Sequence, residues 1–183
     1  MKENISLSLE NVSLETFFPE HVTPNYLAWL QDKEVMQFTE ARFAAHTEES
    51  LREYVRQSNA KSTSCLWRIM VEGCGHVGNV ALTGIDFHHK RSSLGLIIGD
   101  KRVWGLGVGT RAVMLATRYA FDVAGLEKIT AGIYTPNQSS IRIFEKAGYR
   151  KEATLKRQFC LDDGSRIDSV IMSCFPEDLV FAA

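Results

Sequence analysis

Leu94-Gly95-Leu96-Ile97-Ile98-Gly99-Asp100-Lys101-Arg102-Val103-Trp104-Gly105-Leu106-Gly107-Val108-Gly109-Thr110 is the stretch on which the reading of this chain turns. An apolar run of strand length feeds a loop with glycine at alternate positions. The loop feeds a segment whose Val113, Ala116, Ala120 and Val123 recur at helical spacing. Without Cβ atoms, Gly105, Gly107 and Gly109 let the backbone bend tightly and let a ligand approach its amides. A helix start adds unpaired N–H donors and the positive end of a dipole, so the three parts together form a main-chain cradle for a phosphate. A P-loop does not fit, because Gly109-Thr110 lacks the lysine that motif needs. A dinucleotide fingerprint does not fit either: Thr110 stands at its third glycine, and the preceding strands lack βαβ order.

Working outward, Leu66 to Val71, His76 to Leu82 and Leu94 to Ile98 read as three strands with tight turns, an antiparallel meander. Upstream, residues 5–9 alternate as a strand. Thr23-Pro24 caps a short helix, and Thr47, followed by Glu48 and Glu49, caps a second carrying Leu51, Tyr54 and Val55. Downstream, a helix is expected over 110–124 with Gly125 after it, a strand over 128–134, and a helix over 140–147 stopped by Gly148. Two final strands, 157–161 and 166–172, flank the hairpin signal Asp163-Gly164. The mixed order predicts an α+β domain with a mostly antiparallel sheet and helices against its faces.

Whole-chain properties narrow the function. With 183 residues, 45% hydrophobic and 23% charged, the chain reads as one unit over 1–183 without linker or repeat. A net charge of −1 gives no reason to expect a nucleic-acid or membrane partner. Met1-Lys2-Glu3-Asn4-Ile5-Ser6 lacks the apolar core of a secretory signal, and a cytoplasmic location is expected. Cys65, Cys74, Cys160 and Cys174 show no Cys-x-x-Cys spacing and the histidines no ligand spacing, so reduced thiols and no metal are expected.

Trp104-Gly105-Leu106-Gly107-Val108-Gly109-Thr110 resembles the acetyl-CoA pyrophosphate loop of GNAT acetyltransferases, with Trp104 where most members carry Arg or Gln. Two more stretches resemble the RimJ/RimL-like branch, which includes ribosomal-protein N-terminal acetyltransferases. They are residues 25–36, similar to its first-helix signature, and Asn137-Gln138-Ser139-Ser140 running to Glu145-Lys146-Ala147-Gly148-Tyr149. The resemblance implies a GNAT fold whose sheet splays open beside the strand at Ile97 and Ile98, with acetyl-CoA as cosubstrate. Backbone groups of Ile97 and Ile98 are then expected to meet the pantetheine arm. The loop Trp104, Gly105, Leu106, Gly107, Val108, Gly109 and Thr110 holds the pyrophosphate. Asn137 bonds near the pantetheine, and Lys101, Arg102, Arg142 and Lys146 are candidates for the adenosine 3′-phosphate.

Acetyl transfer needs a deprotonated amine, a stabilised carbonyl oxygen and a proton for the leaving thiolate. Phe144 stands where many GNAT enzymes carry a tyrosine acid, which leaves Ser140 as the substitute donor or as a helix N-cap, and Tyr134 as an alternative. Ser93 stands where relatives carry a carboxylate, so no base is assured. Glu40, Arg42, Asp86 and His88 fall in regions that border the acceptor pocket of such enzymes. The expected acceptor is a primary amine on a small molecule or a peptide: a nucleotide-linked amino sugar, a protein N-terminus or a polyamine. A CoA-binding module without turnover is the rival reading. The branch also implies a homodimer.

Overall fold

The structure, a computed structural model, describes residues 5–161 and 163–181. The two ends of the 1–183 unit, residues 1–4 and 182–183, on which part of the N-terminal reading falls, lie outside the described residues. The described residues form one eight-stranded sheet in the order β1-β2-β3-β4-β5-β6-β8-β7. The strands are β1 (Ser6–Leu9), β2 (Val12–Thr16), β3 (Ser64–Val71), β4 (Gly75–Asp86), β5 (Arg91–Ile98), β6 (Lys128–Tyr134), β7 (Arg150–Cys160) and β8 (Arg166–Cys174). Every pairing is antiparallel except β5 with β6. The expected α+β class with a mostly antiparallel sheet is therefore what the chain forms.

The helices divide between the two faces. α1 (Pro24–Gln31), α2 (Lys33–Met36) and α3 (Glu48–Ala60) cover one, burying Tyr26, Leu30, Met36, Leu51 and Val55 against Phe17 and Leu66. α4 (Val108–Asp122) and α5 (Gln138–Lys146) cover the other, where Ala112, Val113, Ala116 and Ala120 meet Leu14, Ile69, Val80, Leu82 and Leu94. The caps are those the sequence announced: Thr23 Oγ1 accepts from Tyr26 N at 3.3 Å, and Thr47 exchanges bonds with Ser50. Trp29 on α1 lies directly on Gly99, where any Cβ would meet its ring at 2.0 Å, so α1 is seated over the exit of β5.

Four expectations are corrected. β2 is a strand without a turn signal ahead of it: it alternates buried and half-buried residues, but the turn before it contains no glycine, and Glu10 itself adopts a φ of 52°. α4 begins at Val108 rather than 110, because Gly107 at φ 78° serves as its N-cap. α5 begins at Gln138 under Asn137, not at Ser140. β7 starts at Arg150, well before 157; it is an edge strand dominated by exposed charged residues, which hide the strand period while discouraging edge association.

Candidate active site

Parallel strands β5 and β6 pair only through Arg91–Lys128, Ser92–Ile129 and Ser93–Thr130. Past that rung they part, and β6 continues to Tyr134 paired with β8 alone. A gap therefore opens in the sheet beside Leu94 to Ile98, leading towards the loop and the start of α4. Gly99 N donates to Val77 O on β4 at 2.9 Å. Backbone groups alternate sides along a strand, so Ile97 turns its N–H and C=O to β4, while Leu96 and Ile98 turn theirs to the gap. This separates the two residues expected to meet the pantetheine: Ile98 faces the gap and Ile97 does not, its place being taken by Leu96. The Ile98 carbonyl already accepts the indole N–H of Trp104 at 3.0 Å, which makes Trp104 a brace between loop and strand.

Beyond the gap lies the cradle. Gly105 and Gly107 take φ of 76° and 78°, a region L side chains rarely adopt. Gly109 packs on α5, where an added Cβ would stand 2.8 Å from Ile143 Cδ1. The first turn bond of α4 runs from Arg111 N to Gly107 O, so the N–H groups of Val108, Gly109 and Thr110 precede the helical ladder. Arg111, which the sequence reading missed, curls back over the loop. It donates to Leu106 O at 2.9 Å and pairs with Glu10 at 2.6 Å. These residues fit a pyrophosphate: bare donors, a helix dipole, and no side chain over Gly107 but the end of a flexible arginine.

Of the four basic candidates, Lys101 is held by Asp32 at 2.7 Å and Glu34 at 2.6 Å, and Arg102 by Asp100 at 2.6 Å. Both cations already have carboxylate partners. Arg142 and Lys146 lie exposed one turn apart on α5, beside the start of α4, and no ion pair joins them to another described residue.

Asn137 caps α5: its Oδ1 accepts from Ser140 N at 3.1 Å and from the Ser139 hydroxyl at 2.9 Å. That removes the capping role considered for Ser140, whose half-buried hydroxyl makes no hydrogen bond to another described residue. Phe144 is fully buried edge-on to Tyr149 at 4.9 Å, and Tyr149 bonds Thr117 at 2.7 Å. The position of the family tyrosine is here part of the core.

At the open end of the gap, Tyr134 donates its hydroxyl to Glu40, in the 3-10 turn Glu40–Phe43. Its ring stacks on Phe159 at 3.8 Å, with Phe38 at 5.9 Å. Burial, then the bond to Glu40, raises the Tyr134 pKa, so the phenol keeps its proton at neutral pH. Arg42 donates to Gln37 O at 3.0 Å, Thr39 O and Cys160 O at 3.3 Å and the Tyr134 hydroxyl at 3.3 Å. It ties the α2–α3 segment to β7, a structural use of a guanidinium expected to meet an anion on the acceptor. Asp86 and His88 are placed elsewhere. They sit in the β4–β5 turn, at the closed end of the gap, where Asp86 accepts from the backbone N–H of His88 at 3.1 Å and His89 at 2.9 Å. Neither is brought to Glu40 or Arg42. Among the described residues no group of three His, Cys, Asp or Glu is placed to hold a metal, and no helix is long and apolar enough to cross a membrane.

Comparison with known proteins meets this geometry. The model of the acetyltransferase (GNAT) domain family matches residues 11–150. Spermidine N(1)-acetyltransferase of Escherichia coli (strain K12) is 33% identical over 96 residues, 52% of this chain and 51% of that protein. Human alpha/beta-tubulin-N-acetyltransferase 9 is 26% identical over 165 residues, 84% of this chain and 79% of that one. The match to YoaA, an uncharacterized N-acetyltransferase of Bacillus subtilis, likewise spans about half of each protein, 53% and 54%. In fold, the chain superposes on spermidine N-acetyltransferase from Vibrio cholerae, solved with CoA and spermine, with a TM-score of 0.81 over 93% of this chain and 98% of that one at 17% identity. An acetyltransferase of the GNAT family from Bacillus anthracis gives 0.79 over 94% and 99% at 19% identity. A gap between parallel strands that leads to a glycine-capped helix start, on a chain matched by the family model over most of its length, has one reading: this protein belongs to the GNAT acetyltransferase family.

Proposed function

We propose that the protein transfers the acetyl group of acetyl-CoA to a primary amine of a small molecule or peptide. The observation that carries this is the parting of β5 and β6 after Ser93 and Thr130, directly ahead of the bare amides of Val108, Gly109 and Thr110. Those amides, with Gly105 and Gly107, hold the pyrophosphate; Leu106 and Trp104 flank it. The gap-facing backbone of Leu96 and Ile98 meets the pantetheine, the free amide group of Asn137 reaches it from α5, and Arg142 and Lys146 take the 3′-phosphate. The resemblance to the RimJ/RimL-like branch and the expectation of a homodimer belong to the same reading.

For the chemistry, a gap-facing N–H polarises the thioester carbonyl. Glu40, fixed by the Tyr134 hydroxyl, accepts the proton of the incoming ammonium. Ser140 returns a proton to the thiolate: its hydroxyl is available because Asn137 does the capping, whereas the Tyr134 hydroxyl is committed to Glu40. Burial of Phe144 favours a second reading, a CoA-binding module without turnover. Thiol release from acetyl-CoA with pools of amino sugars, N-terminal peptides and polyamines decides. Release with any pool supports the enzyme. Silence from all three, with CoA still raising the melting temperature, leaves the module.

A further inference from the structure

β5 is a central strand, yet from Arg91 to Gly95 one of its faces carries no apolar cover. Arg91, Ser93 and Gly95 are exposed while Ser92 and Leu94 between them are buried. A central strand flanked by helix layers is ordinarily buried on both faces. Here the α1–α3 layer reaches only to Ile97 and stops. The sheet register shows what it leaves bare. One rung across β4, β5, β6 and β8 is Thr83, Ser93, Thr130 and Ser173, hydroxyl side chains throughout, with Ser93 Oγ and Thr130 Oγ1 at 3.2 Å.

The next rung carries Ala81 on β4 and Ile171 on β8, and no side chain on the two strands between them. Continuing the β5–β6 register sets Gly95 against Gly132 across the widening gap, and both are exposed. A Cβ built on Gly95 meets nothing within 4 Å, and one on Gly132 meets only Ile171 and Ser169 at ordinary contact distance. The rung after that sets Ile97 against Tyr134, with Glu40 on the Tyr134 hydroxyl. The result is a trough on the face opposite α4, lying over the gap. Hydroxyls line its closed end, two glycines its floor, and a single carboxylate its open end.

The carboxylate count matters. Among the described residues, Asp32 and Glu34 pair with Lys101, Asp86 with Arg91 at 3.8 Å, Glu48 with Arg52 at 2.6 Å, Asp168 with Lys156 at 2.8 Å and Glu152 with Lys128, each a carboxylate already matched by a cation. A polyamine carries several ammonium groups, and each needs a carboxylate once it leaves water. This trough supplies one. Resting on the acetyltransferase reading above, we infer that the trough is the acceptor site and that its acceptor is a hydroxyl-bearing amine with one positive charge, of the amino-sugar class. The ammonium meets Glu40, and ring hydroxyls exchange hydrogen bonds with Ser93, Thr130 and Thr83. The bare glycine rung lets a flat ring lie against the sheet beside the gap.

Calorimetry on the CoA-saturated protein tests this with four probes: glucosamine, cyclohexylamine, spermidine and a short peptide with a free N-terminus. Glucosamine is expected to bind most tightly. Gly95→Leu, whose Cβ meets nothing within 4 Å, should fill the floor, weaken glucosamine at least about tenfold, the scale of a blocked pocket, and leave CoA affinity unchanged. Thr130→Val should weaken glucosamine about three- to tenfold, the worth of a hydrogen bond, and leave cyclohexylamine as it was. Tighter binding of spermidine or the peptide overturns the inference, as does glucosamine binding that is absent or indifferent to both substitutions. Failure of CoA itself to bind would instead overturn the acetyltransferase reading. The glucosamine titration on CoA-free protein would still read the trough.

Discussion

Tyr134 on the last rung of β6 donates a hydrogen bond from its hydroxyl to Glu40, ninety-four positions earlier in the chain, across the open end of the gap. The raised Tyr134 pKa keeps the phenol a donor well past neutrality, so the pair behaves as a carboxylate held in place by a fixed hydrogen bond. Glu40→Gln should lower kcat/KM about a hundredfold, the scale of one proton-transfer group. Tyr134→Phe, which loses only the bond that positions Glu40, should lower it less, about tenfold. Both should bind CoA as the parent does. Steady-state kinetics checks the assignment: an unchanged kcat/KM in Glu40→Gln would remove Glu40 as the base.

Asn137 and Ser140 have been given separate jobs, and substitution separates them. Asn137→Ala deletes the cap of α5 and should cost about 1 kcal/mol of stability, seen as a lowered urea midpoint. Ser140→Ala should leave that midpoint nearly unmoved while turnover falls about a hundredfold. The reverse pattern would return Ser140 to a purely structural role.

Gly107→Glu should abolish CoA binding. The φ of 78° strains any side chain there, a Cβ would crowd Arg111 at 3.1 Å, and the carboxylate would repel phosphate at the helix start. A folded variant that still gains melting temperature from CoA would show that the cradle is not the cofactor site.

His76 supplies a pH test of the α1 face. Its ring is packed edge-on against Phe17 at 5.4 Å and Trp29 at 5.1 Å, and burial lowers its pKa below 6.5. The unfolded chain then takes up a proton before the folded one does. The contribution to stability is full above pH 6.5 and is lost as pH falls from there through the folded value. Urea midpoints at about pH 7.5 and about pH 5.5 should therefore draw closer together in His76→Gln than in the parent.

Phe144 is part of the core, packed edge-on to Tyr149. Phe144→Ala should destabilise by about 3–5 kcal/mol, because Tyr149 loses the ring it packs on and a cavity opens beneath α5. A loss of turnover at unchanged stability would contradict that placement.

Local chemistry made much of this molecule legible. Thr23-Pro24, Thr47 with its two glutamates, and the glycine series before α4 satisfy backbone groups within a few residues of themselves, so their consequences are written where they stand. The cofactor side of the site was readable for the same reason: a phosphate cradle is consecutive backbone. Even so, Ile97 and Ile98 could not be told apart, because which of two adjacent residues faces the gap depends on a bond from Gly99 to β4. The acceptor side was beyond reach. Glu40, Arg42 and Tyr134 meet only because α2, β6 and β7 converge, and the same folding carries Asp86 and His88 to the other end of the strands. The sequence by itself determined the sheet-and-helix class and the anion-binding loop, since both arise from short-range periodicity and backbone freedom. Tertiary structure alone decided where β5 and β6 separate, that Lys101 is paired with Asp32 and Glu34, and which face of the sheet stays bare, since each rests on contacts between residues far apart in the chain.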